Sequence, residues 1–282
     1  MISICLRKGN KKTTISVNKY KYLVGNNNIE KLKIIRLFDE FNTNLKEPKD
    51  SNLDTLKLFI NEKQYTQKNL NIIKIDYNFA LYQNFKLQAN SLLLKSLSYK
   101  LSNNEYIDLF ETIESVMESI CDQFNEDSNI KIINPHFTYS QFLKLIEPKL
   151  IADDEIINEY NLSIKDFILL QLDIIKPVVE NNNMTNIVII DYPIIGNTIL
   201  NSINNISNTY FIIKCDYVNT IECNIKDFML INEFNFDLAC EETIYDYVCC
   251  NILNNSNIEE GYKYMNKLIT NKIYTVNLKT HN

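Results

Sequence analysis

Residues 20–32 have the sequence YKYLVGNNNIEKL, and this stretch decides the fold that the sequence predicts. The apolar run Tyr20–Val24 is typical of a short strand, and Gly25 with the three asparagines after it is typical of a turn. Beyond the turn, apolar side chains recur at the three-residue spacing of a helix, at Ile29, Leu32, Ile35, Phe38 and Phe41. The stretch therefore predicts a strand, a glycine turn and a largely buried helix.

The turn between this strand and helix resembles a phosphate-binding loop that has lost two of its working residues. The pattern of such a loop is GxxxxGK[ST], and Gly25 and Lys31 match its first glycine and its lysine. Glu30 replaces the second glycine and brings a negative charge and a Cβ to the place where backbone amides hold phosphate. Leu32 replaces the hydroxyl that holds Mg²⁺. The loop is therefore predicted to bind no nucleotide.

Asp191 ends the apolar run 187–191, which has the form of the acidic (Walker B) strand that accompanies a phosphate loop. A carboxylate after a buried strand is common, so Asp191 indicates a phosphate-loop fold only in combination with Gly25, Glu30 and Lys31. The four residues together predict an α/β fold with a degenerate phosphate loop. The alternative is an unrelated α/β sheet in which Gly25 and Lys31 match the pattern by chance.

The order of strands and helices predicts a head formed by both ends of the chain. Strands are predicted in a hairpin over 2–17, at 57–60 and 71–75, and again at 186–190, 210–214 and 273–278. Helices are predicted at 87–101, 106–124, 139–146 and 164–178, and later at 198–206, 244–253 and 259–269. We therefore expect an α/β head in 1–86 and 179–282, with a mainly helical insertion, or leg, in 87–178.

Composition and charge exclude several classes of protein. The chain has 282 residues, a net charge of −6 and seven cysteines without a CxxC pair, and its only histidines are His136 and His281. A disulfide framework and a zinc site are therefore disfavoured. No apolar run reaches the roughly 18 residues that a membrane span requires, and no signal peptide is visible, so we expect a cytoplasmic protein with no membrane partner.

The order of these features resembles the Csn-two family, the accessory proteins of type II-A CRISPR spacer acquisition in bacteria. The similarity is carried by the hairpin, by 22–33, by the helical middle with 113–117 and 139–146, and by the strand 187–191. It implies a non-catalytic tetrameric ring in antiviral defence that threads double-stranded DNA ends through a lysine-lined hole. It also implies bound calcium, and the integrase complex and RNA-guided nuclease of the same locus as partners.

The residues themselves restrict how such a protein would hold DNA. A net charge of −6 requires the basic side chains to be concentrated locally, as at the lumen of a ring. Arg7 and Arg36 are the only arginines, so contact with the DNA backbone is favoured over bidentate recognition of bases. The candidate DNA-binding lysines are Lys11, Lys12, Lys31 and Lys33 in the head, and Lys86, Lys95 and Lys100 around the first helix of the insertion.

Calcium requires six to eight oxygen ligands, and the acidic residues suggest where they lie. The densest supply is Glu118, Asp122, Glu126 and Asp127, in which Glu118 and Asp122 share one helix face; a second supply is 153–155. A solvated acidic face is the competing interpretation.

Two other functions remain open at this stage. A nucleotide kinase or NTPase requires a working phosphate loop and cationic side chains at the phosphates, against which Glu30, Leu32 and the scarcity of arginine count. A scaffold that binds only other proteins is compatible with everything in the sequence.

Overall fold

The alternating and continuous apolar runs of the sequence form strands, and the amphipathic runs form helices. In this computed structural model the described residues are 1–43, 55–102, 104–126, 130–134, 136, 138–219 and 224–251. In chain order the strands are β1 (Ile2–Lys8), β2 (Lys11–Val17), β3 (Tyr20–Val24), β4 (Lys57–Ile60), β5 (Lys63–Tyr65), β6 (Leu70–Ile75), β7 (Ile151–Ala152), β8 (Glu155–Ile156), β9 (Thr185–Asp191), β10 (Ile194–Gly196), β11 (Thr209–Lys214), β12 (Tyr217–Asn219), β13 (Phe228–Ile231) and β14 (Asn235–Asp237). The helices are α1 (Asn28–Thr43), α2 (Leu81–Phe85), α3 (Leu92–Leu101), α4 (Asn104–Asn125), α5 (Tyr139–Leu143), α6 (Ile164–Asn181), α7 (Asn197–Asn204) and α8 (Glu241–Asn251).

A six-stranded sheet has the strand order β14-β13-β3-β11-β9-β6, in which all strands except the edge strand β14 run parallel. The side chains of Ile187–Ile190 in β9 and of Phe211–Ile213 in β11 have no exposed surface. Strands covered on both faces have such continuous apolar sequences, because no side chain of theirs meets water. The predicted α/β fold is confirmed.

A second, antiparallel sheet has the order β2-β1-β4-β5 and contains the predicted N-terminal hairpin. Its inward side chains, such as Ile4, Ile15 and Leu58, join one apolar cluster with Ile35 of α1 and Ile212 of β11. The cluster also contains Leu23 of β3, so it joins the strand and the helix of the strand–turn–helix segment to both sheets, and burial of apolar area stabilises the fold by about 25 cal/mol per Å².

The chain divides into two compact units. The sheet unit consists of Met1–Phe79 and the described residues from Asn183 onward, and the helical unit consists of Ala80–Asn182. The helical unit holds α2 to α6 and the short β7–β8 hairpin. One of its apolar clusters is built from Leu87, Leu94 and Leu143, with three partly buried leucines of α3 against them, and α6 contributes further buried apolar side chains such as Ile168 and Leu172.

The helix predicted over 87–101 is wrong in its first turn. Leu87 has a φ of 48°, in the left-handed region, and so ends the short α2 segment instead of continuing into a helix. α3 begins after Ser91, whose Oγ accepts a hydrogen bond from the amide of Leu94 and so caps the helix. A serine before an apolar helical run was the available signal in the sequence.

The other predicted helices are confirmed within a few residues at their ends. α6 begins after the predicted cap Ser163, and α5 begins after a capping box formed by Thr138 and Gln141. The strands β5, β10, β12, β13 and β14 were not predicted, and neither was the β7–β8 hairpin. The predicted helix 259–269 and strand 273–278 lie outside the described residues.

Candidate functional site

The carboxyl ends of the parallel strands form one edge of the six-stranded sheet, which is where open α/β sheets place their ligand sites. Gly25 follows β3 at this edge, Asp191 ends β9, and Lys214 ends β11. Asp191 and Lys214 are direct partners in the β9–β11 register. The sequence-predicted Gly25, Glu30, Lys31 and Asp191 are all placed at or just beyond this edge, so the loop has the position of a phosphate loop.

The backbone amides of the loop are already hydrogen-bonded within the chain. The amide of Asn26 donates to Asn232 Oδ1 at 2.9 Å, and the amide of Asn27 donates to the carbonyl of Ile231 at 3.1 Å. The amide of Glu30 donates to Asn27 Oδ1 at 3.0 Å. The amides of 28 and 31 donate to carbonyls of the loop itself. These are the donors with which a working loop holds phosphate oxygens.

Gly25 is required by the packing of the loop against the end of β13. Its φ of +121° is in a region that side chains rarely adopt, and a Cβ at this position would lie 2.4 Å from the carbonyl oxygen of Ile231. The close approach of two backbones in the same sheet therefore explains the glycine without any ligand.

Lys31 is paired with a carboxylate of the chain, whereas the lysine of a working phosphate loop binds phosphate. Its side chain is fully buried, and its Nζ lies 3.1 Å from Oδ1 of Asp216, which follows β11. Glu30, at the place of the second glycine, binds Lys33 Nζ at 2.8 Å. The charge of Lys31 is thus balanced by a carboxylate of the same chain, and burial removes this lysine from any surface that meets DNA.

Asp191 is also paired. Its Oδ1 lies 2.5 Å from Lys214 Nζ, with both side chains partly buried. Nearby, burial alone would lower the pKa of Lys74, but the hydrogen bond that its ammonium donates to Asp76 and the charges of Asp39, Asp76 and Asp191 raise the pKa above the ordinary value. The acids at the sheet edge therefore have lysine counter-ions, whereas an open Mg²⁺ site would leave its carboxylates free to bind the ion.

A row of three cationic side chains crosses the antiparallel sheet. Arg7 of β1 is the register partner of Lys12 of β2 on one side and of Lys57 of β4 on the other. Paired residues in neighbouring strands point to the same face of a sheet, and all three are exposed while Leu6 beside Arg7 is buried. We call Lys12, Arg7 and Lys57 the cationic row.

The cationic row opposes the usual stabilisation of a sheet, because like charges directly across two strands are destabilising. Among the described residues, none of the ion pairs involves Arg7, Lys12 or Lys57, and the Arg7 guanidinium lies 5.6 Å from the ring centroid of Phe59. In the next register pair, Lys11 is exposed, whereas Lys8 binds Glu40 at 2.6 Å. An anion held against the row would relieve this repulsion.

The remaining predicted lysines are dispersed. Lys33 is exposed but engaged by Glu30, and Lys86 is exposed with its Nζ 4.6 Å from the ring centroid of Tyr82. Lys95 and Lys100 are exposed on α3. Arg7 and Lys57 are members of the row that the sequence did not predict as site residues. The adjacent pair Arg7-Lys8 was a visible signal, whereas Lys57 joins the row only through strand pairing.

The acids predicted to bind calcium are exposed on α4 and after it, at Glu118, Asp122 and Glu126, and Asp127 lies outside the described residues. Within the described part of the chain, no three acidic, histidine or cysteine side chains are grouped so that they would hold a metal ion. Calcium binding therefore stays a prediction. None of the described helices is long and apolar enough to cross a membrane.

Comparison with known proteins gives a likeness of fold. No protein-family model matches the sequence, and no curated protein matches it. Among solved structures, the crystal structure of Stu0660 of Streptococcus thermophilus is similar, with a TM-score of 0.65 and 13% sequence identity over 93% of this chain and 84% of that chain. At this identity the comparison shows a shared fold over nearly the whole of both chains.

Proposed function

We propose that this protein is a non-catalytic, sequence-independent binder of double-stranded DNA ends that acts in CRISPR spacer acquisition. The observation that carries the proposal is the exposed cationic row Lys12–Arg7–Lys57. The sequence resemblance to the Csn-two family supports it, and the fold likeness to Stu0660 is consistent with a CRISPR-associated role.

The geometry of the row suits a phosphate backbone. Neighbouring strands lie about 4.8 Å apart, so three cations on β2, β1 and β4 extend across roughly 10 Å of surface. Double-stranded DNA presents one negative charge per roughly 1.7 Å of its axis, so a row of this width meets several phosphates. Two of the three cations are lysines, which bind phosphate as point charges, so the row favours contact with the DNA backbone.

The degenerate loop supports the absence of catalysis in this proposal. The amides of Asn26, Asn27 and Glu30 and the ammonium of Lys31 have partners in the chain, so phosphate binding there requires these contacts to be broken. We therefore expect no turnover of ATP–Mg²⁺. A nucleotide kinase or NTPase is the competing function, and steady hydrolysis abolished by Lys31→Ala would establish it.

The acidic balance of the chain makes repetition of the row useful. One copy has a net charge of −6, so most of its surface repels DNA. The cationic row is a small attractive patch on that surface, because the electrostatic field depends on the local arrangement of charges. Several copies in a ring would present several rows to one duplex. The homotetramer, the bound calcium and the integrase and nuclease partners are part of the proposal through the family resemblance.

The test compares two double variants that remove equal charge from exposed positions of the sheet unit. Lys12→Gln/Lys57→Gln removes the ends of the row, and Lys63→Gln/Lys68→Gln is the matched control outside it. For a linear duplex of about 30 base pairs we expect the row variant to bind at least about tenfold more weakly and the control within about twofold of the unchanged protein. The salt slope of the row variant should fall by about 2, since each phosphate contact contributes about 0.9.

The preference for DNA ends is tested by comparing linear with circular duplex. A relaxed closed circle should compete at least about tenfold less well than linear fragments of equal mass. Equal competition would remove the end preference, and equal loss in both double variants would remove the row as the site. If the unchanged protein binds no duplex at low salt, and neither double variant does, the result favours a scaffold that binds only other proteins.

A further inference from the structure

The antiparallel sheet differs in charge from the chain as a whole. Its strands β1, β2, β4 and β5, which the structure describes in full, contain six lysine and arginine residues and no aspartate or glutamate. The whole chain, in contrast, has a net charge of −6. We call the face of this sheet that carries the cationic row the outward face, since the apolar cluster covers the other face. The strand residues of the outward face therefore attract phosphate and include no carboxylate that would repel it.

Phe59 of β4 is the aromatic side chain on the outward face. It lies between two buried residues and two positions after Lys57, so it points to the same side of the sheet as the cationic row. The ring is partly exposed, and its centroid lies 5.6 Å from the Arg7 guanidinium. Its register partners, Cys5 of β1 and Gln64 of β5, are not acidic. One aromatic ring therefore lies directly beside the cations that are proposed to bind phosphate.

An aromatic ring in this position can contribute to DNA binding only where a base exposes its flat face. Inside an undistorted duplex every base is stacked on both sides, and the grooves present base edges alone. A terminal base or an unpaired nucleotide exposes a face, and proteins bind such faces by stacking an aromatic ring or an arginine plane on them. Phe59 and Arg7 therefore suit the end of a duplex and not its interior.

We propose that Phe59, with Arg7 beside it, stacks on an unpaired base at the end of a DNA duplex, so that the preferred substrate is a duplex with a short single-stranded overhang. Phe59 and Lys57 are roughly 7 Å apart along β4, so a base on the ring keeps its phosphates within reach of the cationic row. An unpaired base is favoured over a terminal pair because no pairing or stacking has to be broken. This inference rests on the proposed DNA binding and gives the end preference a cause in named residues.

The first test compares DNAs that differ only in their ends. A duplex of about 30 base pairs is made blunt, with five unpaired thymines at each 3′ end, or with five abasic nucleotides at each 3′ end. The two overhangs carry equal numbers of phosphates, so only the bases distinguish them. In fluorescence anisotropy titrations of the full-length protein we expect the thymine overhang to bind at least about fivefold more tightly than the abasic one, because stacking of one base on an aromatic ring contributes about that much or more.

Three variants locate the stacked base. Phe59→Leu removes the ring and keeps an apolar side chain, whereas Phe59→Tyr keeps a ring. Phe234→Leu is the matched control, because Phe234 is 71% exposed in the sheet unit but lies outside the antiparallel sheet. Phe59→Leu should bind the thymine and abasic overhangs within about twofold of each other, and the other two variants should keep the difference. The salt slope of Phe59→Leu should equal that of the unchanged protein, because no phosphate contact is removed.

Two outcomes would overturn this inference and leave the proposed function standing. The first is equal binding of thymine and abasic overhangs by the unchanged protein, a comparison that needs no variant. The second is an equal loss of affinity for the overhang duplex and for a relaxed closed circle in Phe59→Leu, since the ring would then only support the sheet. If the unchanged protein binds none of these DNAs, the proposed function fails, and the inference fails with it.

Discussion

The sheet unit and the helical unit differ in which of their apolar and charged side chains are buried. Among the described residues, 22 large apolar side chains are exposed, and 16 of them lie in the helical unit, Ala80–Asn182. The sheet unit instead buries two lysines. Lys21 and Lys31 have no exposed side-chain surface, and each is paired with a carboxylate from a distant part of the sequence.

The buried pair Lys21–Asp237 illustrates the internal balance of the sheet unit. Lys21 Nζ lies 2.5 Å from Asp237 Oδ1 and donates to the carbonyl of Lys226 at 2.8 Å. Burial lowers the pKa of Lys21 because it penalises the charged form, and Asp237 opposes the shift. The sheet unit thus balances buried charge within the chain, whereas the helical unit leaves large apolar side chains exposed.

The largest expected effects separate buried from exposed leucines. Leu23→Ala in β3 and Leu172→Ala in α6 each remove a buried side chain, and each should lower the free energy of unfolding of its unit by about 2–5 kcal/mol. Leu109→Ala, on the exposed apolar face of α4, should change it by less than about 0.5 kcal/mol. Urea unfolding followed by circular dichroism measures all three. A loss above about 1.5 kcal/mol for Leu109→Ala would mean that this face of α4 supports the helical unit itself.

Gly25→Ala should lower the free energy of unfolding of the sheet unit by about 2–4 kcal/mol. The φ of +121° and the approach of a Cβ to 2.4 Å from the Ile231 carbonyl oxygen both oppose the substitution. Gly196→Ala is the control, because the φ of −114° at Gly196 is open to any residue. Similar melting temperatures for the two variants would show that the loop rearranges freely, which would reopen it to a phosphate ligand.

A smaller effect tests the asymmetry of the Lys31–Asp216 pair. Asp216 is 64% exposed while Lys31 is fully buried, so Asp216→Asn leaves a buried ammonium without its counter-ion. After discounting for the solvent at Asp216, we expect a loss of about 1–2 kcal/mol for Asp216→Asn. Lys31→Met leaves only a solvated carboxylate and should cost less than about 0.5 kcal/mol. The reverse order of the two variants would contradict the assignment of Asp216 as the internal counter-ion.

The sequence by itself determined the elements whose signals are local. The run Tyr20–Val24, the glycine turn and the helix α1 appear as predicted, because strand alternation, helical spacing and turn chemistry depend on residues a few positions apart. The caps of α5 and α6 follow the same rule. Glu30 and Leu32 were sufficient to predict that the phosphate loop is degenerate, because each removes a group that the chemistry requires.

Only the tertiary structure decided which residues meet across the sheets. Lys57 joins the cationic row through the β1–β4 register, and Asp216 pairs with Lys31 across 185 residues of sequence. The carbonyl oxygen of Ile231, more than two hundred residues along the chain, leaves no room for a Cβ at Gly25. The sequence also predicted the apolar face of α4 but not that it stays uncovered. Periodicity reports which side chains share a face, whereas strand register and burial are set by packing between distant segments, which no local pattern encodes.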